Sequence, residues 1–515
     1  MELGFWKFAE ANPDKVAVIE PDGAEVTAGA LLSGANQAVH GLRALGLQPR
    51  DSVAVLLDNS AVMLELFMAA AQAGWTLTPI NWHLAPPEIA YIVENSGARA
   101  LVCAARFAPQ ARAALAGSTL PDEARLSVGD AEGFCPYASI KAGMPTAAPP
   151  DRSAGATMTY TSGTTGRPKG VRRPAAQASP EQVYTQQALF LGLFGILPGS
   201  AGVHLVVAPL YHTAVINFAT NHLHLGHTLV LMEQWTPEQT LALIERYKVT
   251  SSHMVPTQLS RLLKLPEDVK ARYDLSSLTH VIHSAAPCPV DVKQAMLDWW
   301  GDCIYEYYAA SEGGGTLATP QQWRRKPGTV GLPWPISQIR VLDDEGQPCP
   351  AGEPGTVWMR MGEHRFEYHE DQEKTDRAWS EGFFTVGDAG FLDADGFLFL
   401  CDRKADMIIS GGVNIYPAEI EAALVAHPDV ADVAVFGVPD DDWGEQVKAA
   451  VEPMPGVAAN SDLEAALRAF CAERLARYKI PRTFDFVDSL PRDPNGKLFK
   501  RQLRDPYWID RPKAI

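Results

Sequence analysis

Tyr160-Thr161-Ser162-Gly163-Thr164-Thr165-Gly166-Arg167-Pro168-Lys169-Gly170 is the stretch from which the rest of the chain can be read. Four small hydroxyl residues and three glycines surround one Arg and one Lys. No central side chain can join an apolar core, so the segment reads as a poor strand and a poor helix. It is suited to wrapping an anion: glycines let backbone N–H groups approach closely, hydroxyls donate, and Lys169 adds a point charge. A polyphosphate is the natural guest. The P-loop is excluded, because that motif needs Gly-Lys-Ser/Thr, whereas here Pro168 precedes Lys169 and Gly170 follows it.

Composition narrows the class. A chain of 515 residues, 46% hydrophobic and 20% charged, can bury more than one core. A formal charge of −17 argues against wrapping nucleic acid, and any anionic substrate then needs local positive groups. The seven cysteines are scattered, without a Cys-x-x-Cys pair, which fits a reducing, cytoplasmic setting. Met1–Glu10 lacks the basic-then-apolar pattern of a signal peptide. Between Glu181 and Glu233 no Asp, Glu, Lys or Arg occurs. Pro198, Pro209 and five histidines interrupt that run, so it reads as buried strands and helices rather than an integral membrane segment, with peripheral lipid association left open.

Residues 1–150 alternate strands and helices. Val53–Leu57, Leu77–Ile80 and Leu101–Cys103 are expected strands; Ala61–Ala73 and a segment opened by Pro86-Pro87-Glu88 are expected helices. This alternation indicates a doubly wound, mostly parallel sheet. Gly117–Pro150 reads as irregular connection. His212 follows the strand Val203–Ala208, where sheet ligands bind. His222, His224 and His227 match no usual zinc spacing and are read as structural. Towards the C-terminus, Pro417 opens a helix, Val433–Val438 is a strand, and Ser461 with Glu464 suggests a capping box.

Further motifs follow in order: Ser284-Ala285-Ala286-Pro287 after an apolar strand, Tyr307-Tyr308-Ala309-Ala310-Ser311-Glu312, Thr385-Val386-Gly387-Asp388, Asp402-Arg403-Lys404-Ala405-Asp406, and Pro491-Arg492-Asp493-Pro494-Asn495-Gly496-Lys497. With the 160–170 stretch, they make the chain resemble the adenylate-forming (ANL) superfamily, which holds acyl-CoA synthetases, luciferases and peptide-synthetase adenylation domains. The resemblance covers nearly the whole chain, and the wording Gly411-Gly412-Val413-Asn414-Ile415-Tyr416-Pro417 looks most like the acyl-CoA synthetase, or fatty-acid–CoA ligase, branch.

The resemblance implies an α/β fold: a large N-terminal domain of doubly wound mixed sheets plus a β-rich subdomain (1–402), and a small mobile α+β C-terminal domain (403–515) carrying the catalytic lysine. It implies ATP, Mg2+ and CoA as cofactors, and a small carboxylic acid as partner. Thr161, Ser162, Gly163, Thr164, Thr165, Gly166 and Lys169 would hold phosphates. Ala285, Ala286, Pro287, Tyr307, Tyr308 and Ala309 would border adenine. Asp388 and Arg403 would hold the ribose, and Ser311 the α-phosphate. Glu312, with Thr161, would hold the metal. His212, Phe218, Ala309 and Gly314 would line the acyl pocket, and Gly411 and Gly412 a thiol tunnel. Lys497, Glu312, Ser311 and His212 would carry the chemistry. Ala309, Ser311, Val386 and Ala405 depart from the residues usual in the family; Ala405 puts residue-specific hinge chemistry in doubt.

The implied reaction activates an apolar carboxylic acid to acyl-AMP with release of pyrophosphate, then transfers the acyl group to CoA. A carrier protein, an amine or another nucleophile is the alternative acceptor. The lack of a carrier segment after residue 515 favours free CoA. A light-emitting oxygenase and a non-catalytic nucleotide sensor are the readings from other classes; Lys497 and Glu312 weigh against the sensor.

Overall fold

The computed structural model describes residues 4–161, 169–172, 178–199, 201–310, 312–362, 365–492 and 498–509, with the backbone alone at 161, 169, 172 and 405. It divides into two compact units. The first holds residues 1–253, 266–281 and 364–377; the second holds 254–265, 282–363 and 378–515.

The first unit is built on parallel sheets. One runs Cys135–Pro136, Arg125–Val128, Ala98–Ala104, Ser52–Leu56, Thr76–Pro79, Ala156–Thr157 in spatial order, every neighbouring pair parallel. A second places Val203–Val206 between Ser251–Met254 and Thr228–Leu231, with Val16–Ile19 beyond, again parallel, and Glu25–Thr27 antiparallel at the edge. Strands covered on both faces must be apolar throughout, and Ser52–Leu56 is buried at every position. Their neighbour is the helix Ala61–Ala73, buried at twelve positions including Leu64, Phe67 and Ala70. Ser60 caps its start by accepting from the Met63 N–H, and Gly74, in the left-handed region at φ 74°, ends it. Glu65 faces this core and is held by the Tyr137 hydroxyl and the Lys141 ammonium, each at 2.7 Å.

The charge-free run after Glu181 forms the helices Pro180–Ala188 and Thr213–His224 and the strands Val203–Val206 and Thr228–Leu231. Among the described residues, no helix is long and apolar enough to cross a membrane. Its histidines are packed and hydrogen-bonded. His222 Nδ1 lies 2.8 Å from His227 Nδ1, Ser251 Oγ lies 3.3 Å from His222 Nε2 and 3.0 Å from His204 Nδ1, and His224 Nδ1 accepts from the Phe5 N–H.

In the second unit, the strands Ile304–Ala310, Gly313–Ala318 and Leu332–Pro333 pair antiparallel in sequence. A β-rich sheet sets Gly355–Met361 among Ser337–Leu342, Phe383–Phe384 and Asp388–Leu392, with Leu398–Arg403 on the last. Residues beyond 407 build an α+β layer. The long hairpin Val430–Asp440/Gly444–Pro453 is joined by Ile408–Ser410 and, in parallel, by Thr483–Phe486. The helices Pro417–Val425 and Ser461–Ala472 supply Ile420, Leu424, Leu463 and Leu467 to its core with Val433 and Val435.

Two local expectations are corrected. Gly117–Pro150 is not wholly irregular: it holds the strands Arg125–Val128 and Cys135–Pro136 and the helix Tyr137–Lys141. Elements of two to five residues leave too few positions for a periodic signal, and partner strands define them. The cap of Ser461–Ala472 is Asn460, whose side-chain oxygen accepts from Asp462 and Leu463 N–H at 3.1 Å each, while Glu464 accepts from Arg468. Asn is among the strongest N-caps, so it displaces the box.

Burial pushes the His204, His224 and His253 imidazoles down to about 3 and His227 to about 4. Each folded value lies below the unfolded one, so folding keeps these rings neutral while the unfolded chain takes up protons. Stability is full above pH 6.5 and falls as the pH drops towards 4, by at most about 1.4 kcal/mol per pH unit for each histidine. Urea midpoints taken at pH 7, 6 and 5 should fall progressively; a flat series would contradict this account.

Candidate functional site

In the second unit, strand register brings several expected nucleotide residues together. Asp388 stands directly across from Arg403 in the antiparallel pair, and its Oδ1 lies 3.5 Å from Arg403 Nε. The other oxygen, Oδ2, accepts from the Tyr308 hydroxyl at 2.7 Å. Asp388 is delivered by the turn before it: the Thr385 hydroxyl donates to the Val357 carbonyl and accepts from the Gly387 N–H. The Asp388 side chain is 13% exposed and that of Arg403 47% exposed, so a shielded carboxylate is flanked by a half-open guanidinium. Burial and the Asp388 charge hold the Tyr308 phenol well above its ordinary range, which keeps it a hydrogen-bond donor. Val386, which follows Thr385 in the motif, is not needed for this turn.

Tyr307, the neighbour of Tyr308, is buried and hydrogen-bonded through its side chain to Ser284. That contact ties the strand Ile304–Ala310 to the turn Ser284-Ala285-Ala286-Pro287. Ala285 is exposed there and adopts φ 75° without being glycine. Backbone held in this region by a residue with a Cβ is strained, and strain of this kind collects where a ligand or a tight turn imposes it.

Glu312 is partly exposed, and its charge acts on Tyr308. Among the described residues, no group of three or more His, Cys, Asp or Glu could hold a metal. A single carboxylate with nucleotide oxygens is a normal hard-cation set, so Glu312 fits magnesium that arrives with phosphate. Gly314 lies where a Cβ would meet Met359 at 3.2 Å, the Ser337 hydroxyl at 3.6 Å and Phe384 at 3.7 Å, a mostly apolar surround. Gly411 and Gly412, at φ 58° and 80°, turn the chain from Ile408–Ser410 into Val413–Ile415. A Cβ at Gly411 would meet Trp443 at 2.4 Å, whereas nothing lies within 4 Å of one at Gly412.

In the first unit, the ends of the 160–170 stretch are strands, against the expectation that it is neither strand nor helix. Thr159–Thr161 pairs antiparallel with Lys169–Arg172, so Thr161 faces Lys169, and Glu367–Tyr368 adds a third strand. The Tyr160 hydroxyl donates to Asn95 Oδ1 at 2.7 Å, and His369 Nε2 lies 2.8 Å from the Asn95 carbonyl. His212 is the N-terminal flank of the helix Thr213–His224, and its ring lies 4.4 Å from that of Tyr211. Thr213 donates to Thr159 at 2.8 Å, which links this helix start to the hairpin. Phe218, 1% exposed, packs at 4.7 Å on His253 and at 5.8–5.9 Å on Phe190 and Phe194.

Ser162, Gly163, Thr164, Thr165, Gly166, Ser311 and Lys497 lie outside the described residues. Sequence reading included Ser284 in the turn expected beside adenine but did not identify His283, Glu306 or Lys293 as parts of the surroundings. The one available signal was an acid at Glu306, a buried position of a half-buried strand.

The profile of AMP-binding enzymes matches residues 5–365, and that of the AMP-binding enzyme C-terminal domain matches 419–497. A fatty acid–[acyl-carrier-protein] ligase of Streptomyces coeruleorubidus is 32% identical, over 98% of this chain and 96% of the relative. A long-chain-fatty-acid–CoA ligase of Mycobacterium tuberculosis is 32% identical over 98% of each chain. The structure of an amide bond synthetase from Marinactinospora thermotolerans aligns with a TM-score of 0.82 at 29% identity, over 98% and 99% of the two chains.

Relief of strain at Ala285 is measurable. Ala285→Gly should be neutral or stabilising by up to about 1 kcal/mol, whereas Ala285→Val, β-branched at positive φ, should destabilise by about 1–2 kcal/mol. Urea denaturation of both variants checks this; equal effects would remove the strain argument.

Proposed function

The chain belongs to the AMP-binding enzyme family, and from that premise we propose that it is an AMP-forming acid–thiol ligase. It would join an apolar carboxylic acid to AMP with release of pyrophosphate, then pass the acyl group to CoA. The observation that carries this reading is the Tyr308–Asp388–Arg403 cluster, a shielded carboxylate able to accept both hydroxyl protons of a ribose. The full-length similarity to a fatty-acid–CoA ligase supports the acid class and the acceptor.

The physical difficulty is that a carboxylate and a triphosphate are both anions. The reading gives Lys497 the task of bridging the carboxylate and the α-phosphate. The hydroxyls and N–H groups of the 161–169 stretch would spread the charge of departing pyrophosphate. Ser311 would touch the α-phosphate. Magnesium, held by Glu312 with Thr161, would supply Lewis-acid neutralisation of the phosphates. Ala285, Ala286 and Pro287 leave room for adenine beside Tyr307, Tyr308 and Ala309, while Arg403 takes the ribose edge. His212, Phe218, Ala309 and Gly314 would border the acyl group. The neighbours of Gly314 are Met359, Phe384 and the one hydroxyl of Ser337. The neighbours of Phe218 are aromatic rings. These favour a medium or long chain, or an aromatic or polycyclic acid.

The domain boundary proposed at Asp402/Arg403 separates the two half-reactions, with the 403–515 portion moving between them and Gly411 and Gly412 opening the path for the thiol. The two family profiles stop and start on either side of that boundary, at 365 and 419. A reducing cytoplasm is the proposed setting.

A second reading has its own support. The carrier-protein ligase and the amide bond synthetase match the chain as fully as the CoA ligase does. A carrier thiol or an amine is therefore the alternative acceptor.

A panel of carboxylic acids with ATP, scored for pyrophosphate with and without CoA, a phosphopantetheinylated carrier protein or an amine, separates these readings. Lys497→Ala should lower adenylation about a hundredfold or more, the ~3–4 kcal/mol expected for one lost transition-state contact, without unfolding the protein. Unchanged pyrophosphate release in that variant would remove the lysine from the mechanism. The tunnel is best probed at Gly412, because any side chain at Gly411 meets Trp443. Gly412→Trp should spare acyl-AMP formation and block thioester formation; equal loss of both steps would count against the tunnel.

A further inference from the structure

A buried charge pair is anchored on the strand that carries Tyr308, and nothing in the proposed chemistry uses it. Lys293, on the helix Val290–Trp300, donates to Glu306 Oε2 at 2.7 Å, with the two side chains 0% and 8% exposed. Lys293 Nζ also lies 5.0 Å from the ring centroid of Trp323, itself fully buried. His283, wholly buried, places Nε2 3.6 Å from the same Glu306 oxygen. Burial pushes the Glu306 carboxyl up and the Lys293 ammonium down, each opposed by its partner.

The position in the chain is what matters. Glu306 immediately precedes Tyr307 and Tyr308, and His283 immediately precedes Ser284 and the strained Ala285. Ser284 and Tyr307 are hydrogen-bonded to each other, so His283–Glu306 and Ser284–Tyr307 are adjacent rungs between one strand end and one strand interior. Two ions removed from water repay little net stability, and a packed apolar pair of similar volume holds such a strand as firmly. An apolar pair lacks direction. A 2.7 Å ammonium–carboxylate contact sets the height of the strand against the helix. It thereby sets where the Tyr308 hydroxyl meets Asp388 and where the 284–287 turn lies.

We propose that Lys293 and Glu306, with His283 beside them, are positioning residues for nucleotide binding, acting through the strand that carries Tyr307 and Tyr308. This inference rests on the reading of Tyr308, Asp388 and Arg403 as nucleotide-binding.

The test uses the full-length protein and two readouts, thermal midpoint and ATP dissociation constant by calorimetry. Lys293→Met leaves an unpaired buried carboxyl and should lower the thermal midpoint and weaken ATP binding about tenfold. The double variant Lys293→Met/Glu306→Leu should recover the thermal midpoint but keep weakened ATP binding, because packing returns and direction does not. A double variant that binds ATP within twofold of the parent (a margin of roughly 0.4 kcal/mol) would reduce the pair to a structural element and overturn the proposal. So would a Lys293→Met protein that is less stable yet binds ATP normally. Asp388→Ala, measured in parallel, should also weaken ATP binding. If it does not, the nucleotide reading itself has failed, and the proposal falls with it.

Discussion

The carboxylate of Asp388 is where local structure becomes chemistry in this protein. Its Oδ2 accepts from Tyr308 at 2.7 Å, and its Oδ1 lies 3.5 Å from Arg403. An acid that is 13% exposed needs such partners, because an unpaired buried carboxylate takes up a proton and ceases to be an acceptor. Asp388 and its two partners come from three separate parts of the chain, and each is set by backbone. Strand pairing places Arg403 across from Asp388, the Thr385 turn aims Asp388, and the hairpin with Gly313–Ala318 holds Tyr308.

The same rule recurs at three other buried carboxylates among the described residues. Glu65 inside the first core is satisfied by Tyr137 and Lys141. Glu421 in the second unit accepts from the Val435 N–H at 2.7 Å and pairs with Lys500 at 2.9 Å. Glu306 is met by Lys293. Only Glu306 lies within two residues of Tyr308. That placement, rather than the strength of the pair, is why it bears on ligand binding while the others are read as parts of the packing.

Much of the framework was legible from residue patterns. The helix Ala61–Ala73 was bounded correctly because Ser60 and Gly74 mark its ends and its apolar content leaves no alternative. The three strands read between residues 53 and 103 were placed to within a residue or three, since fully buried parallel strands are plain apolar runs, whereas the short strands Val16–Ile19 and Glu25–Thr27 were not read. Where signals are short the reading failed. The strands and helix inside 117–150 have too few residues to show a period, and the cap of Ser461–Ala472 lay one residue earlier than the motif suggested.

Local composition was enough to say that Tyr160–Gly170 favours an anion and that the chain is α/β, because these follow from side-chain chemistry and periodicity, which are properties of neighbouring residues; the role given to Glu312 came only with the family resemblance. Tertiary structure alone decided that Asp388 meets both Tyr308 and Arg403, that Thr213 joins Thr159, and that Lys293 lies against Glu306. Tyr308 and Asp388 are separated by 80 positions, and no local signal reports register across such a distance. Register is chosen when whole faces of strands are buried together, so it emerges only with the complete fold.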